Sequence, residues 1–249
     1  MSRRRVRLTL GYRGTRYAGW AVQSRVRRPT VQATVEAALA QALGEPVRTV
    51  AAGRTDAGVH ADGQVISFDT ASSISPDGLL SVLPRWLPDD VWAIDAENVA
   101  PDFDARHSAR RRWYRYALWR SGIPSADWQG RCLIEPQRLD LGSMREAASA
   151  LLGRHDFGSF ITKASVRGFT ERTVFAADWL VISESLHVFE ICADAFLKQM
   201  VRTIVGSLLW VGNGRWTADR FATALSSTDR RAAGPNAPAV GLTLHRIDY

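Results

Sequence analysis

The residues best suited to chemistry stand in one run, Gly53-Arg54-Thr55-Asp56-Ala57-Gly58-Val59-His60. It sets one acid between two glycines and two potential cations, and it lies between two apolar, strand-like segments. Glycine reaches backbone conformations closed to other residues, so Gly53 and Gly58 can hold Asp56 on a tight loop that approaches a ligand closely. A carboxylate presented in that way can act as a nucleophile or stabilise developing positive charge. A connecting turn whose aspartate bonds its own backbone is the plainer account of an isolated Asp-Ala-Gly. Elsewhere the reactive side chains are scattered. Cys132 and Cys192 are sixty positions apart, and His60, His107, His155, His187 and His245 have no metal-ligand spacing. No metal is implied, and both cysteines are expected in the core.

Charge points to the partner. The 249 residues carry 32 Lys or Arg against 25 Asp or Glu, a net charge of +7, and all the basic residues but Lys163 and Lys198 are arginine. The first acid is Glu36, and before it stand Arg3, Arg4, Arg5, Arg7, Arg13, Arg16, Arg25, Arg27 and Arg28, so that end is expected to be strongly electropositive. A second cluster, Arg106, Arg110, Arg111, Arg112 and Arg115, adjoins Tyr114 and Tyr116. Cations interleaved with rings suit RNA, where phosphates supply affinity and unpaired bases stack on aromatic faces. No run approaches the eighteen or so apolar residues of a membrane span, and the Arg-rich start lacks a signal peptide's apolar stretch. A cytoplasmic protein with no membrane partner is expected.

The elements that must position these residues follow from periodicity. Arg5 to Tyr12 alternates as a strand, and Arg13 to Pro29 is a basic, Gly-punctuated loop. Thr30 caps a helix carrying Val31, Val35, Leu39 and Leu43, which Gly44 and Pro46 stop. Val47 to Ala52 and Gln64 to Phe68 are strands flanking the Asp56 loop. Ser75 to Leu87 is a helix broken or ended near Pro84, and Val91 to Val99 a strand. The second half repeats the pattern. Arg112 to Arg120 is a strand, and Asp140 caps a helix that Gly153 stops. Arg172 to Ser183 and Leu186 to Ala193 form a hairpin, a helix follows Lys198 and ends at Val211-Gly212-Asn213-Gly214, and a last strand passes Leu242, Leu244 and Ile247. The spacing therefore predicts an α+β protein of two halves, 1–105 with the Asp loop and 106–249, each a sheet covered on one face by helices.

The octet around Asp56 resembles the signature of the tRNA pseudouridine synthase A (TruA) family, and further pieces occur in that family's order along nearly the whole chain. They are Gly14-Thr15-Arg16-Tyr17-Ala18-Gly19-Trp20, Thr30-Val31-Gln32, Phe103-Asp104-Ala105-Arg106 with Ser108-Ala109, and Tyr114-Arg115-Tyr116. Later come Gly153-Arg154-His155-Asp156-Phe157, Phe196-Leu197-Lys198-Gln199-Met200-Val201-Arg202, Ala237-Pro238 and Gly241-Leu242-Thr243-Leu244. Arg13, Ala21 and Asp104 depart from the pattern, where Asp, Gln and His are usual. The resemblance implies two ferredoxin-like α/β halves whose mixed, largely antiparallel sheets join around a central active-site cleft, and a homodimer. It implies isomerisation of uridine to pseudouridine at positions 38, 39 and 40 of the tRNA anticodon stem-loop, with Asp56 as the catalytic residue. By the same resemblance Arg202 is the cation that keeps Asp56 charged, since burial alone disfavours a carboxylate. Tyr114 would stack on the uracil and help relay its proton, and Arg54 would fill the space left when the nucleotide flips out. Arg16, Arg106, Arg110 and Arg111 are expected RNA contacts; His60 is expected to be a hydrogen-bonded support and Tyr116 a neighbour of Tyr114 on the same strand face. Because the reaction conserves atoms and exchanges no electrons, no cofactor is expected, and tRNA rather than DNA is the partner. A non-catalytic RNA-binding module would instead bind without turnover, and a glycosidase-like hydrolase should show a second acid beside Asp56 and liberate uracil.

Overall fold

A computed structural model describes residues 3–23, 27–161 and 169–249; Arg25 of the basic run lies outside them. The chain divides into two compact units, Met1–Arg110 with Leu244–Tyr249, and Arg111–Thr243.

The first unit contains β1 (Arg4–Tyr12), α1 (Val31–Leu43), β2 (Val50–Ala51), β3 (His60–Thr70), α2 (Pro76–Val82) and β4 (Val91–Val99). The strands are antiparallel in the order β4-β1-β3, with β2 paired on β3. Strand order 4-1-3-2 over a βαββαβ chain is the ferredoxin-like arrangement. Period-two alternation buries Val6, Leu8, Leu10 and Tyr12 completely, each aliphatic side chain contributing about 1.5–3 kcal/mol. Thr30 caps α1 by accepting the Ala33 N–H, and Gly44 ends it at φ 71°. The helix expected from Ser75 to Leu87 stops at Val82 and tightens into a 3-10 turn, Leu83–Arg85, because Pro84 has no N–H to continue the α ladder. The strand expected over Val47 to Ala52 is only two residues long, pairing with Ser67 and Ile66, whereas its partner runs the full His60–Thr70. The chain's last residues are held in this unit by the Tyr249 hydroxyl, which donates to the Ala105 carbonyl at 2.8 Å, and by the Tyr249 ring against Phe103.

Arg3, and Arg5 and Arg7 on β1, meet acids that the linear sequence places far away. Arg5 forms two bonds to Asp69, Nε–Oδ1 2.8 Å and Nη2–Oδ2 2.7 Å, across the β1–β3 pair. Arg7 reaches Glu97 at 2.9 Å and Asp95 at 3.7 Å on β4, and Arg3 reaches Glu45 at 3.2 Å. Much of the expected N-terminal positive charge is therefore neutralised by cross-strand pairing.

The second unit contains β5 (Arg111–Trp119), β6 (Leu133–Ile134), α3 (Leu141–Ser149), β7 (Gly153–Asp156), β8 (Glu171–Val181), β9 (Leu186–Ala193), α4 (Met200–Gly212), α5 (Ala218–Ser226) and the start of β10 (Leu242–Asp248). Its sheet runs β5-β9-β8-β7, antiparallel throughout, with β6 parallel on β5. The sequence β5-α3-β8-β9-α4 with strand order β5-β9-β8 repeats the 1-3-2 part of the first unit's arrangement. Asp140 and Thr217 cap α3 and α5 by accepting the N–H of Ser143 and of Arg220, each cap contributing about 1 kcal/mol. Ile204, Val205 and Leu208 of α4 are fully buried, and Cys132 and Cys192 lie in the core as expected. The α+β class with a mixed, largely antiparallel sheet holds, and no helix among the described residues is long and apolar enough to cross a membrane.

Candidate active site

The Asp56 loop is fixed at nearly every residue except those it presents. The Val59 N–H closes a turn onto the Asp56 carbonyl at 3.1 Å, with Gly58 at φ 80°. Gln64 donates its side-chain N–H to the Gly53 carbonyl at 2.7 Å. Thr55 is buried; its hydroxyl meets the Tyr12 hydroxyl at 2.8 Å and its carbonyl accepts the Trp20 N–H at 3.0 Å. Burial pushes the Tyr12 phenol up to about 12, so this pair stays neutral and acts purely as a brace. His60 is fully buried, and its Nδ1 accepts the Gly14 N–H at 3.2 Å. Between these anchors Asp56 is half-buried while Arg54 and Ala57 are exposed.

Two glycines let the Gly14–Trp20 segment lie directly on this loop. A Cβ on Gly14 would stand 1.8 Å from the Val59 carbonyl oxygen, and one on Gly19 would stand 2.8 Å from the Thr55 carbonyl oxygen. Gly19 also has φ 99°, a left-handed conformation that side chains disfavour. Backbone thus packs against backbone, and the loop cannot shift without moving β1 and the start of α1, where Gln32 N–H bonds the Trp20 carbonyl.

In the second unit Tyr114 stands on β5 opposite Ile191 and is 8% exposed. Its ring meets Phe196 edge to face at 5.0 Å. Phe196 opens the run to Arg202, in which Gln199 precedes α4 at φ 64°, a left-handed conformation rare for a non-glycine residue. Arg202 is half-buried and held to one strip of chain: its Nε donates to the Ala237 carbonyl at 2.7 Å, and its own carbonyl accepts the Ala237 N–H at 2.9 Å. The same strip is fixed by Ser207, whose hydroxyl accepts the Gly234 N–H, and by Tyr116, whose hydroxyl donates to the Pro238 carbonyl at 2.8 Å. Gly206 makes room for it, since a Cβ there would lie 1.9 Å from the Pro235 carbonyl oxygen.

The sequence profile of the tRNA pseudouridine synthase family matches residues 10–108 and 147–249, which include the Asp56 loop, the Gly14–Trp20 segment and Arg202 but not Tyr114 or Tyr116. The chain belongs to the tRNA pseudouridine synthase family. The tRNA pseudouridine synthase A of Moorella thermoacetica is 43% identical over 244 residues, 98% of this chain and 99% of that protein. That of a Bradyrhizobium species is 42% identical over 246 residues, 98% and 99% of the two chains. That of Acetivibrio thermocellus is 41% identical over 251 residues, 99% and 100% of them.

In this synthase the first unit carries Asp56 and Arg54 on one loop, Arg16 on the segment that clamps it, and Arg106 and Arg110 beyond β4. The second carries Tyr114, Arg202 and Arg111. Arg16 is exposed, with Nε on Asp90 at 2.9 Å, and the Tyr17 hydroxyl occupies the other oxygen of that carboxylate at 2.7 Å. Arg106 sits on a turn organised by Asp104, whose Oδ1 accepts the backbone N–H of Arg106 and of His107, both at 2.8 Å. Burial alone would raise the Asp104 carboxyl, but these two N–H bonds and the His107 ring bring it below the usual range. The departure at position 104 therefore has a local task, holding the backbone that bears Arg106. Arg111 lies over the Phe175 ring at 4.8 Å. Tyr12, Gly14, Gly19 and Gln64 emerge as parts of the site from the folded chain; sequence spacing gives no sign that they touch the Asp56 loop. Among the described residues no group of His, Cys, Asp or Glu could hold a metal ion.

Proposed function

We propose that this synthase isomerises uridine at positions 38, 39 and 40 of the tRNA anticodon stem-loop, with Asp56 as its catalytic residue. The observation that supports this most is the Asp56 loop itself: hydrogen bonds and two close glycine contacts fix its flanks, yet the carboxylate stays half-buried instead of sealed. Such pre-organisation suits a group that must meet one atom of a substrate. In the reaction the N1–C1′ bond of uridine breaks, the base turns, and a C5–C1′ bond forms. C5 then loses its proton and N1 gains one, so atoms balance without an oxidant or reductant. Tyr114 offers a ring face on which the detached uracil stacks and a hydroxyl to relay the C5 proton. Arg202 supplies the cation that keeps the aspartate charged, and Arg54 enters the gap left by the flipped nucleotide. Arg16, Arg106, Arg110 and Arg111 contact the RNA backbone. The synthase works in the cytoplasm as a homodimer.

The test uses unmodified tRNA transcript labelled with tritium at uracil C5. Wild type should release tritium to water, and Asp56→Asn, nearly the same size but uncharged, should bind the tRNA and release none. Full release by Asp56→Asn would remove the aspartate from its role. Binding without release by the wild type would favour a binding module, and free uracil among the products a hydrolase.

A further inference from the structure

The second unit's sheet ends in a row of arginines that the proposed chemistry at Asp56 leaves unused. Arg154 on β7 pairs in register with Thr173 on β8. Thr173 and Asp194, just past β9, exchange bonds through the Thr173 N–H to Oδ1 at 3.2 Å and the Asp194 N–H to the Thr173 carbonyl at 3.1 Å. The Asp194 carbonyl in turn accepts Nη1 of Arg112 on β5 at 2.5 Å. Four strands at about 4.8 Å spacing carry this row across roughly 14 Å.

A cavity of about 400 Å³ opens along it, lined by Arg154, Phe169, Glu171, Arg172, Thr173 and Asp194. Three features of this cavity call for a ligand. Phe169, in the lining, is 86% exposed, and Phe175 on the neighbouring strand surface, under the Arg111 guanidinium, is 45% exposed. Nε of Arg172 is buried, and no described residue accepts its proton, while Nη1 of the same side chain is spent on the carbonyls of Phe169 and Glu171. The two lining arginines, Arg154 and Arg172, also face only weakly committed acids. Of the two lining carboxylates, Asp194 is occupied by the Thr173 and Ala195 N–H groups. The other, Glu171, holds Arg154 only in an exposed pair at 2.8 Å, weak enough for another anion to displace.

Rings with free faces beside guanidiniums fit unpaired nucleotides, which offer a base to stack and a phosphate to pair. We infer that this end of the sheet is a second RNA-binding surface, on which Phe169 stacks an unpaired base while Arg154 and Arg172 hold its phosphate. Resting on the tRNA reading above, it assigns that RNA to the substrate tRNA, at nucleotides other than the one isomerised. A protein occupant would meet the same rings but would leave the guanidiniums without phosphates.

The experiment measures tRNA binding by filter retention over a range of salt for wild type, Phe169→Ala, Phe169→Trp and Arg154→Gln, with tritium release by the wild type run beside it. Phe169→Ala should weaken binding roughly five- to hundredfold and Phe169→Trp should restore it. Arg154→Gln should lower the slope of log K against log salt by about 0.7, the loss of one single-strand phosphate contact. Unchanged affinity in Phe169→Ala would overturn the proposal. So would a change in oligomeric state by light scattering without RNA at unaltered affinity, which would make the surface a protein interface. If the wild type binds tRNA but releases no tritium, the isomerase reading fails while the affinities still decide the surface.

Discussion

The role proposed for Tyr114 has two separable parts, stacking and proton relay, and a pair of substitutions tells them apart. Its ring is fixed edge-on by Phe196 at 5.0 Å and by its place on β5 opposite Ile191, so removing only the hydroxyl leaves the ring where it is. On the proposed role, Tyr114→Phe should bind tRNA as wild type does but release tritium about a hundredfold more slowly, the low end of what a positioned proton-transfer group contributes. Tyr114→Leu should in addition weaken binding, because the stacking face is gone. Single-turnover tritium release with enzyme in excess, beside filter binding, reads the two effects separately. Equal rates for Tyr114→Phe and wild type would take the hydroxyl out of the proton path. Tyr116, two positions along the same strand, is the internal comparison. Its phenol is raised by burial and already donates to Pro238, so Tyr116→Phe should act through stability, loosening the strip that holds Arg202.

At the scale of the element, the decisive device is the backbone contact between the Gly14–Trp20 segment and the Asp56 loop. Gly19→Ala meets two obstacles: φ 99°, and a carbonyl 2.8 Å from the new methyl group. Gly44→Ala, at the end of α1, meets only the first, since its φ is 71° and nothing lies within 4 Å. Both variants should lose about 1 kcal/mol or more of stability from the left-handed backbone. Only Gly19→Ala should also lose activity, at least tenfold in tritium release, because the carbonyl that yields belongs to the loop bearing Asp56. Thermal melts and initial rates on the two proteins check this, and equal activity would show that the loop tolerates movement. The same contact marks the limit of what could be read from the chain. Helix α1, β1, β4 and the β8–β9 hairpin were legible because caps, glycines and periodicity are local signals. β6 and β7, of two and four residues, are too short to show a sustained alternation, β2 keeps only two residues of the strand expected over Val47 to Ala52, and Glu45, Asp69 and Glu97 gave no hint that they neutralise Arg3, Arg5 and Arg7. Asp56 was legible as a presented acid and His60 as a hydrogen-bonded support; the brace of Tyr12 and Gln64 required knowledge of which strands lie side by side.

Across the whole molecule the formal charge of +7 overstates what any RNA meets, and two arginines of equal formal charge should behave differently. Arg5 is committed to Asp69 through two bonds; Arg110 is exposed at the end of the segment leading into β5. The Arg5 hydrogen bond holds the Asp69 carboxyl below the usual carboxylate range. A carboxyl depressed in the folded state contributes stability above its unfolded value of about 3.9 and loses it as pH falls through the folded value. Arg5→Gln should therefore be less stable than wild type at pH 7, and the gap should close as pH falls below about 4. Its tRNA affinity should keep the wild-type salt dependence, because no phosphate contact has been lost. Arg110→Gln should show the opposite pattern, with unaltered urea midpoints at both pH values and a shallower fall of log K with log salt, by about 0.7 to 0.9. Urea titrations at pH 7 and pH 3, with binding at 50 and 200 mM salt, place each arginine in one class. If Arg5→Gln flattened the salt dependence as Arg110→Gln does, the paired arginines of β1 would have to be counted among the RNA contacts, and the division of charge between folding and binding would fall.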